Sequence, residues 1–302
     1  MAAPTPSSAS TTGLTLPAEA TVQSVRNYYG KVLQTSKDLK TSACTSSSKP
    51  SPRVLASLAK VPRPVLDKFY GCGTPLPTGI EGLRVLDLGS GSGRDCYVAA
   101  DLVGEGGSVT GIDMTAGQLA TARAHAAAYC TDALGYDKSN LTFLEGMIEF
   151  LGDAGVAPGS ADLIISNCVI NLSPDKPAVI AGCFAALRPG GELHFSDVYC
   201  SRRLPEDVRT DDVMLGECLG GALYVEDFRR ICHRTGFADP RELTREEIIV
   251  TDPDLKRLVK GARFYSITYR CFKLPPVPGR EGETGLETLC EDYGQVAYYL
   301  GT

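Results

Sequence analysis

The chain has 302 residues, 43% of them hydrophobic, and no apolar run long enough to form a membrane-crossing helix. That length suits one large α/β domain or a domain with a smaller companion. The net charge of −6, with Lys and Arg scattered in short runs, speaks against a nucleic-acid partner.

The leader, MAAPTPSSASTTGLTLPAEA, carries one charge, Glu19, before Arg26 and is expected to stay disordered. It is poorer in Arg than transit peptides usually are, and no signal peptide is visible. Val22, Val25, Tyr28, Tyr29, Val32 and Leu33 then recur at helical spacing. A polar loop with Cys44 follows, then a short helix over PRPVLDKFYG that Gly71 stops before CGTPLP.

From Arg84 strands and helices alternate. RVLDLG, SVTGIDM, LTFLEG, ADLIISNCVI and ELHFSDVY read as five strands. Helices are expected over CYVAADLVG, from Thr115 to Ala133, and over DKPAVIAGCFAAL up to the stop at Pro189-Gly190-Gly191. This rhythm predicts an α/β fold with a doubly wound, mostly parallel sheet. Beyond Tyr199 come a short helix with a Gly-rich turn, an amphipathic helix closed by Gly236, and two strands flanking a short helix.

The loop GSGSGRD is suited to a nucleotide, because glycines admit close backbone approach and the next helix offers free N–H groups. It is not the dinucleotide fingerprint: the position for the third glycine holds Arg94 counted from Gly89, and Cys96 counted from Gly91. Asp87, two residues before Gly89, suits an amino group better than a pyrophosphate. Asp113, about 20 residues beyond the loop, can take both ribose hydroxyls. Met147 and Ile148 can flank an adenine. Amino acid, ribose and adenine without a pyrophosphate describe S-adenosylmethionine. Against this stands the plain alternative that Asp87 and Asp113 are caps, and a nicotinamide cofactor is a lesser one.

A base for an oxygen or nitrogen acceptor is not evident. His125, His194 and His233 fall within a helix, a strand and a late helix, and Asp197 and the Asp211-Asp212 pair read as caps or ion-pair partners. Thiols stand there instead. The eleven cysteines include no C-x-x-C or C-x-C pair, so structural zinc is not indicated, and reduced thiols in a reducing compartment are expected. Cys168 ends the fourth strand, Cys218 sits in GECLGGAL, Cys72 in FYGCGTP and Cys44 in the polar loop. Cys96, Cys130, Cys183, Cys200, Cys232, Cys271 and Cys290 read mostly as small hydrophobes. Thiolates select soft metalloids. Trivalent arsenic on three sulfurs would keep a lone pair and need no base, so positioning would supply most of the catalysis.

VRNYYGKVLQTSKDLKTSACT, FYGCGTPLP, VLDLGSGSGRDCY, GIDMTAGQL, SNCVINLSPDK, FSDVYCSRRLP and GECLGGALYVEDF together resemble the arsenite methyltransferase family, from about Val22 to Phe272; the likeness fades after about Leu274. The resemblance implies a Rossmann-like class I methyltransferase fold. A leader and N-terminal helix would occupy residues 1–45, a donor-binding domain 46–200, and a smaller arsenic-binding α+β region 201–302. It implies an arsenic site of Cys72, Cys168 and Cys218, with Cys44 forming a transient disulfide to Cys72 as product oxidises. It also implies donor contacts from Tyr70, Asp87, Gly89, Asp113, Met114, Ile148 and Asn167, with Ser90 and Gly91 in the glycine loop and Gly146 and Glu149 beside Ile148. The substrate would be trivalent arsenic, free or as a glutathione conjugate, methylated once and then again for detoxification. Thioredoxin or glutathione would restore the thiols, in a cytoplasmic monomer without nucleic-acid or membrane partners. Two other readings stay open: an O- or N-methyltransferase with incidental thiols, and a non-catalytic metalloid-binding thiol protein.

Overall fold

The computed structural model describes residues 16–27, 50–69, 71, 75–211, 214–215, 218–250, 252–277 and 280–284. The expectations for Cys44, Tyr70, Cys72, Asp212, Cys290 and most of the leader lie outside these residues. Among the described residues, helices α1 (Leu16–Asn27), α2 (Pro52–Leu58) and α3 (Arg63–Leu66) precede the sheet. The helix expected after Ala20 thus begins earlier, at Leu16, inside the stretch read as disordered.

The sheet opens with β1 (Arg84–Leu88), α4 (Arg94–Val103), β2 (Ser108–Asp113), α5 (Ala116–Ala128) and β3 (Leu141–Glu145). It continues with β4 (Ala161–Asn167), α6 (Lys176–Ala186) and β5 (Leu187–Cys200). After α7 (Glu206–Arg209) come β6 (Leu223–Tyr224), α8 (Val225–Thr235), β7 (Arg241–Ile248), α9 (Pro253–Val259) and β8 (Phe264–Phe272), then a hairpin of β9 (Pro276–Val277) and β10 (Arg280–Thr284).

The strand order is β3-β2-β1-β4-β5-β8-β7, with β6 beside β5. The pairs from β3 through β5 are parallel, and β8 runs antiparallel to both β5 and β7. The sheet therefore crosses residue 200 without a break, and β7 and β8 extend the same sheet that carries the glycine loop. The Pro189-Gly190-Gly191 segment, read as a helix stop, belongs to the start of β5; α6 has already ended at Ala186. A register shift between Ala161 and Leu163 absorbs it, pairing Leu187 with Ala161 and Glu192 with Leu163.

Apolar side chains from both faces hold the layers. Cys96, Tyr97, Val98 and Ala99 of α4 pack with Leu119 and Ala122 of α5 and Val65 of α3. On the other face Val179, Ile180 and Cys183 of α6 meet Val225, Phe228 and Cys232 of α8, the last three spaced as one helical stripe. Phe195, Tyr199 and Tyr269 contribute rings to the same core, with centroids 5.6 and 5.2 Å and 4.7 Å from Phe228. Each such ring pair contributes about 0.5–1.5 kcal/mol beyond its buried area.

The order reverses between β1 and β4, and in open α/β sheets ligands bind beyond the strand ends at that point. Gly89 follows β1 there, and Cys168 follows β4.

Candidate active site

A cleft with about 1060 Å³ of space, counted out into the open solvent at its mouth, lies at this switch point. The expected donor residues Asp87, Gly89, Ser90, Gly91, Asp113, Met114, Gly146, Ile148, Glu149 and Asn167 all line it, and so do Met147 and Cys168. The glycine loop reaches in because its backbone is left-handed at Gly89, with φ of 65°. A side chain at Gly89 would also collide with Val169. The backbone leaves the cleft in the same conformation at Gly93, φ 94°, where α4 begins.

Asp87 is buried at the cleft floor. Burial pushes its carboxyl well above the usual range, nearby Asp95 adds to this, and a hydrogen bond from the Cys96 thiol opposes it. That bond, Cys96 Sγ to Asp87 Oδ2 at 3.1 Å, gives Cys96 a polar partner where a plain hydrophobe was expected. Asp113 is fixed by two backbone donors, Gly91 N–H at 2.9 Å and Thr115 N–H at 2.8 Å. Burial raises its carboxyl too, while those two bonds and the charge of Arg26 work the other way. Helix α1 roofs the cleft through Val22 and Val25.

The cleft residues fit S-adenosylmethionine. Ser90 Oγ and Gln118 Oε1 are buried without a hydrogen-bond partner and both line the cleft, so each has capacity for a polar ligand. A buried carboxylate without a cation is costly, and an amino group beside Asp87 would relieve it. Gln118 and Asp95 were missed by sequence reasoning. Asp95 is buried against Arg94, whose Nε donates to it at 2.8 Å, and accepts from Asn167 Nδ2 at 2.8 Å. Its position in G-R-D beside the loop was the one available signal.

Cys168 and Cys218 are brought together. Both are buried in one cluster with Leu172, Met214 and Leu219. The Cys218 thiol donates to the Cys168 carbonyl oxygen at 3.6 Å. Both backbones are left-handed, φ 58° and 62°, and Lys260 is the remaining non-glycine residue of this kind among those described. Such a conformation costs about 1–2 kcal/mol and is kept where the surroundings enforce it. Cys168 is disulfide-bonded, so the expected thiol is here in its oxidised form. Gly71, which precedes Cys72, is buried, and a Cβ on it would come within 2.7 Å of Asn167 Cγ. The chain neighbour of Cys72 thus abuts the chain neighbour of Cys168. No group of three or more metal-ligating side chains stands together among the described residues.

Among the described residues no histidine lines the cleft, and the acids that do are Asp87, Asp95, Asp113 and Glu149. His194 is buried, and burial pulls its imidazole down to about 4. Asp197 is fully enclosed and accepts from the N–H groups of Val198 and Asn171, which makes it a cap of the turn after Cys168.

A methyltransferase-domain family model matches residues 80–236. The arsenite methyltransferase of Aquipseudomonas alcaligenes is 52% identical over 280 residues, 93% of this chain and 78% of that protein. The arsenite methyltransferase of Rattus norvegicus is 49% identical over 252 residues, 83% of this chain and 68% of that protein. Among solved structures, an arsenic (III) S-adenosylmethionine methyltransferase from Chlamydomonas reinhardtii is 60% identical and superposes with a TM-score of 0.75, covering 82% of this chain and 79% of that one. The chain therefore belongs to the arsenite methyltransferase family, built on the class I methyltransferase fold, and is an enzyme dependent on S-adenosylmethionine.

Proposed function

We propose that this enzyme methylates trivalent arsenic held by the thiolates of Cys72, Cys168 and Cys218, first arsenite and then monomethylarsenite, in arsenic detoxification. The observation that carries this reading is that Cys168 lines the donor cleft while its carbonyl receives the Cys218 thiol. S-adenosylmethionine supplies an electrophilic methyl group when bound. Asp87 would take its amino group, Asp113 its ribose, and Gly146, Ile148 and Glu149 the adenine side of the cleft, with Tyr70 as a further contact.

The protein's own part is to place a soft atom and keep water from it. Three sulfurs leave arsenic with a lone pair and no proton to lose, so the absence of a cleft histidine is no handicap. The buried cluster around Cys168 and Cys218 shields that atom. Because Cys168 stands in a disulfide, two electrons and two protons, from one thioredoxin dithiol or from two glutathione thiols, must free its sulfur before arsenic can bind. This need supports a reducing compartment, the cytoplasm. Among the described residues no helix is long and apolar enough to cross a membrane.

An assay with methyl-labelled donor and arsenite tests the reading directly. Labelled arsenicals are expected; binding of arsenite without labelled product would make the chain a metalloid-binding protein only. Cys44, expected to form a transient disulfide with Cys72 as product oxidises, gives a second expectation. Cys44→Ser should slow methylation of arsenite more than that of monomethylarsenite, and equal losses in parallel rate measurements would remove that role.

A further inference from the structure

Asn171 packs between the turn after Cys168 and the loop that bears Cys218, and it does not line the donor cleft. Three consecutive β5 residues grip the turn after Cys168. The Cys168 N–H donates to the Ser196 carbonyl at 2.8 Å, and the Asn171 N–H donates to Asp197 Oδ2 at 3.0 Å. The Asn171 side-chain amide then donates to the Val198 carbonyl. Asn171 is 2% exposed, so no water replaces these bonds if they are lost.

On its other side Asn171 meets the Cys218 loop. A Cβ built on Gly221 would overlap the Asn171 carbonyl oxygen and lie 2.8 Å from its carbonyl carbon. Gly221 does not have a left-handed φ, so glycine is required there for room. Asn171 is thus a spacer, tied to β5 by its amide groups and pressed by the backbone of Gly221.

We propose that Asn171, clamped between β5 and Gly221, is a positioning residue that sets the Cys168–Cys218 spacing at which both sulfurs reach one arsenic atom. This rests on the thiolate reading of the site. It predicts that Gly221→Ala, which wedges the loops apart, and Asn171→Ala, which loosens the tie to β5, weaken arsenic binding without touching the donor.

The probe is phenylarsine oxide, whose trivalent arsenic takes two thiolates, titrated into the full reduced chain carrying Cys72→Ser so that the Cys168–Cys218 pair is what remains of the proposed three. Each added variant is expected to weaken this binding about tenfold or more, the usual cost of disturbing a residue that orients a ligand-binding side chain. In the otherwise unaltered chain each should raise KM for arsenite similarly, with S-adenosylmethionine affinity held within about twofold, because neither residue lines the donor cleft. Unchanged phenylarsine oxide binding in both variants would overturn the proposal. So would loss of donor binding in both, which is what a purely structural role predicts. If Gly221→Ala alone fails to fold, Asn171→Ala, which only removes atoms, decides. The thiolate reading fails separately, if Cys168→Ser and Cys218→Ser still methylate arsenite.

Discussion

Cys168→Ser and Cys218→Ser should each lower the rate of arsenite methylation by about 10²-fold or more, the scale on which misplacing a reacting atom by about 1 Å is felt. Serine keeps the size of the side chain but replaces a soft sulfur with a hard oxygen that binds a metalloid poorly. Both positions hold left-handed backbone in a buried cluster, so the fold fixes where the two side chains sit. The two variants differ in one respect. Cys168 lines the donor cleft and Cys218 does not, so Cys218→Ser should bind S-adenosylmethionine as the parent does. Steady-state rates with labelled donor, alongside donor titrations, check both points. Turnover that survives in both variants would mean an oxygen or nitrogen acceptor and incidental thiols.

The second large effect is expected at Asp87. Asp87→Asn preserves shape and removes the charge proposed to take the donor's amino group, and breaking a buried ion pair by deleting one partner costs about 3 kcal/mol or more. Donor affinity should fall by about two powers of ten, with phenylarsine oxide binding unaltered. A pH series adds a sign. Burial, reinforced by Asp95, raises the Asp87 carboxyl, so the folded chain without donor holds this proton to higher pH than the unfolded chain does. That costs the fold stability as pH climbs from the ordinary carboxylate range through the raised value. A bound cation favours the ionised form, so donor binding expels the proton and tightens with rising pH until Asp87 is ionised unaided. The donor-induced rise in Tm should therefore grow with pH over that window. In Asp87→Asn only the part due to Asp113, whose carboxyl is also raised by burial, should remain. Donor affinity equal to the parent's would place the amino group elsewhere.

What could be read from sequence, and what could not, follows the range of the interactions. The parallel strands were legible because each is a short apolar run, as in Arg84–Leu88, which Gly89 ends, and Ala161–Asn167. Asp87 and Asp113 were legible because their distance along the chain from the glycine loop fixes where they stand on β1 and β2. Helix α2 was hidden by its neighbours: Pro52 and the serines before it read as loop, yet Ser51 caps the helix by accepting from Val54 N–H. The two-residue strand β6 is too short for any periodicity to show. Gln118 carries no local mark and Asp95 only its place in G-R-D, since what makes them cleft residues is packing against segments far away in sequence. The spacing role of Asn171 depends on Gly221, fifty residues later, and on Ser196, Asp197 and Val198 of β5. The same holds for Cys96, whose bond to Asp87 turns an apparent filler into a partner of the donor site.

The most direct test is the coordination of arsenic itself. X-ray absorption at the arsenic edge, on the reduced full chain loaded with one equivalent of arsenite, should show three sulfur neighbours at a single distance and no oxygen, falling to two sulfurs in Cys218→Ser. An arsenic surrounded by oxygen in the parent chain, or a sulfur count that Cys168→Ser and Cys218→Ser leave unchanged, would contradict the account.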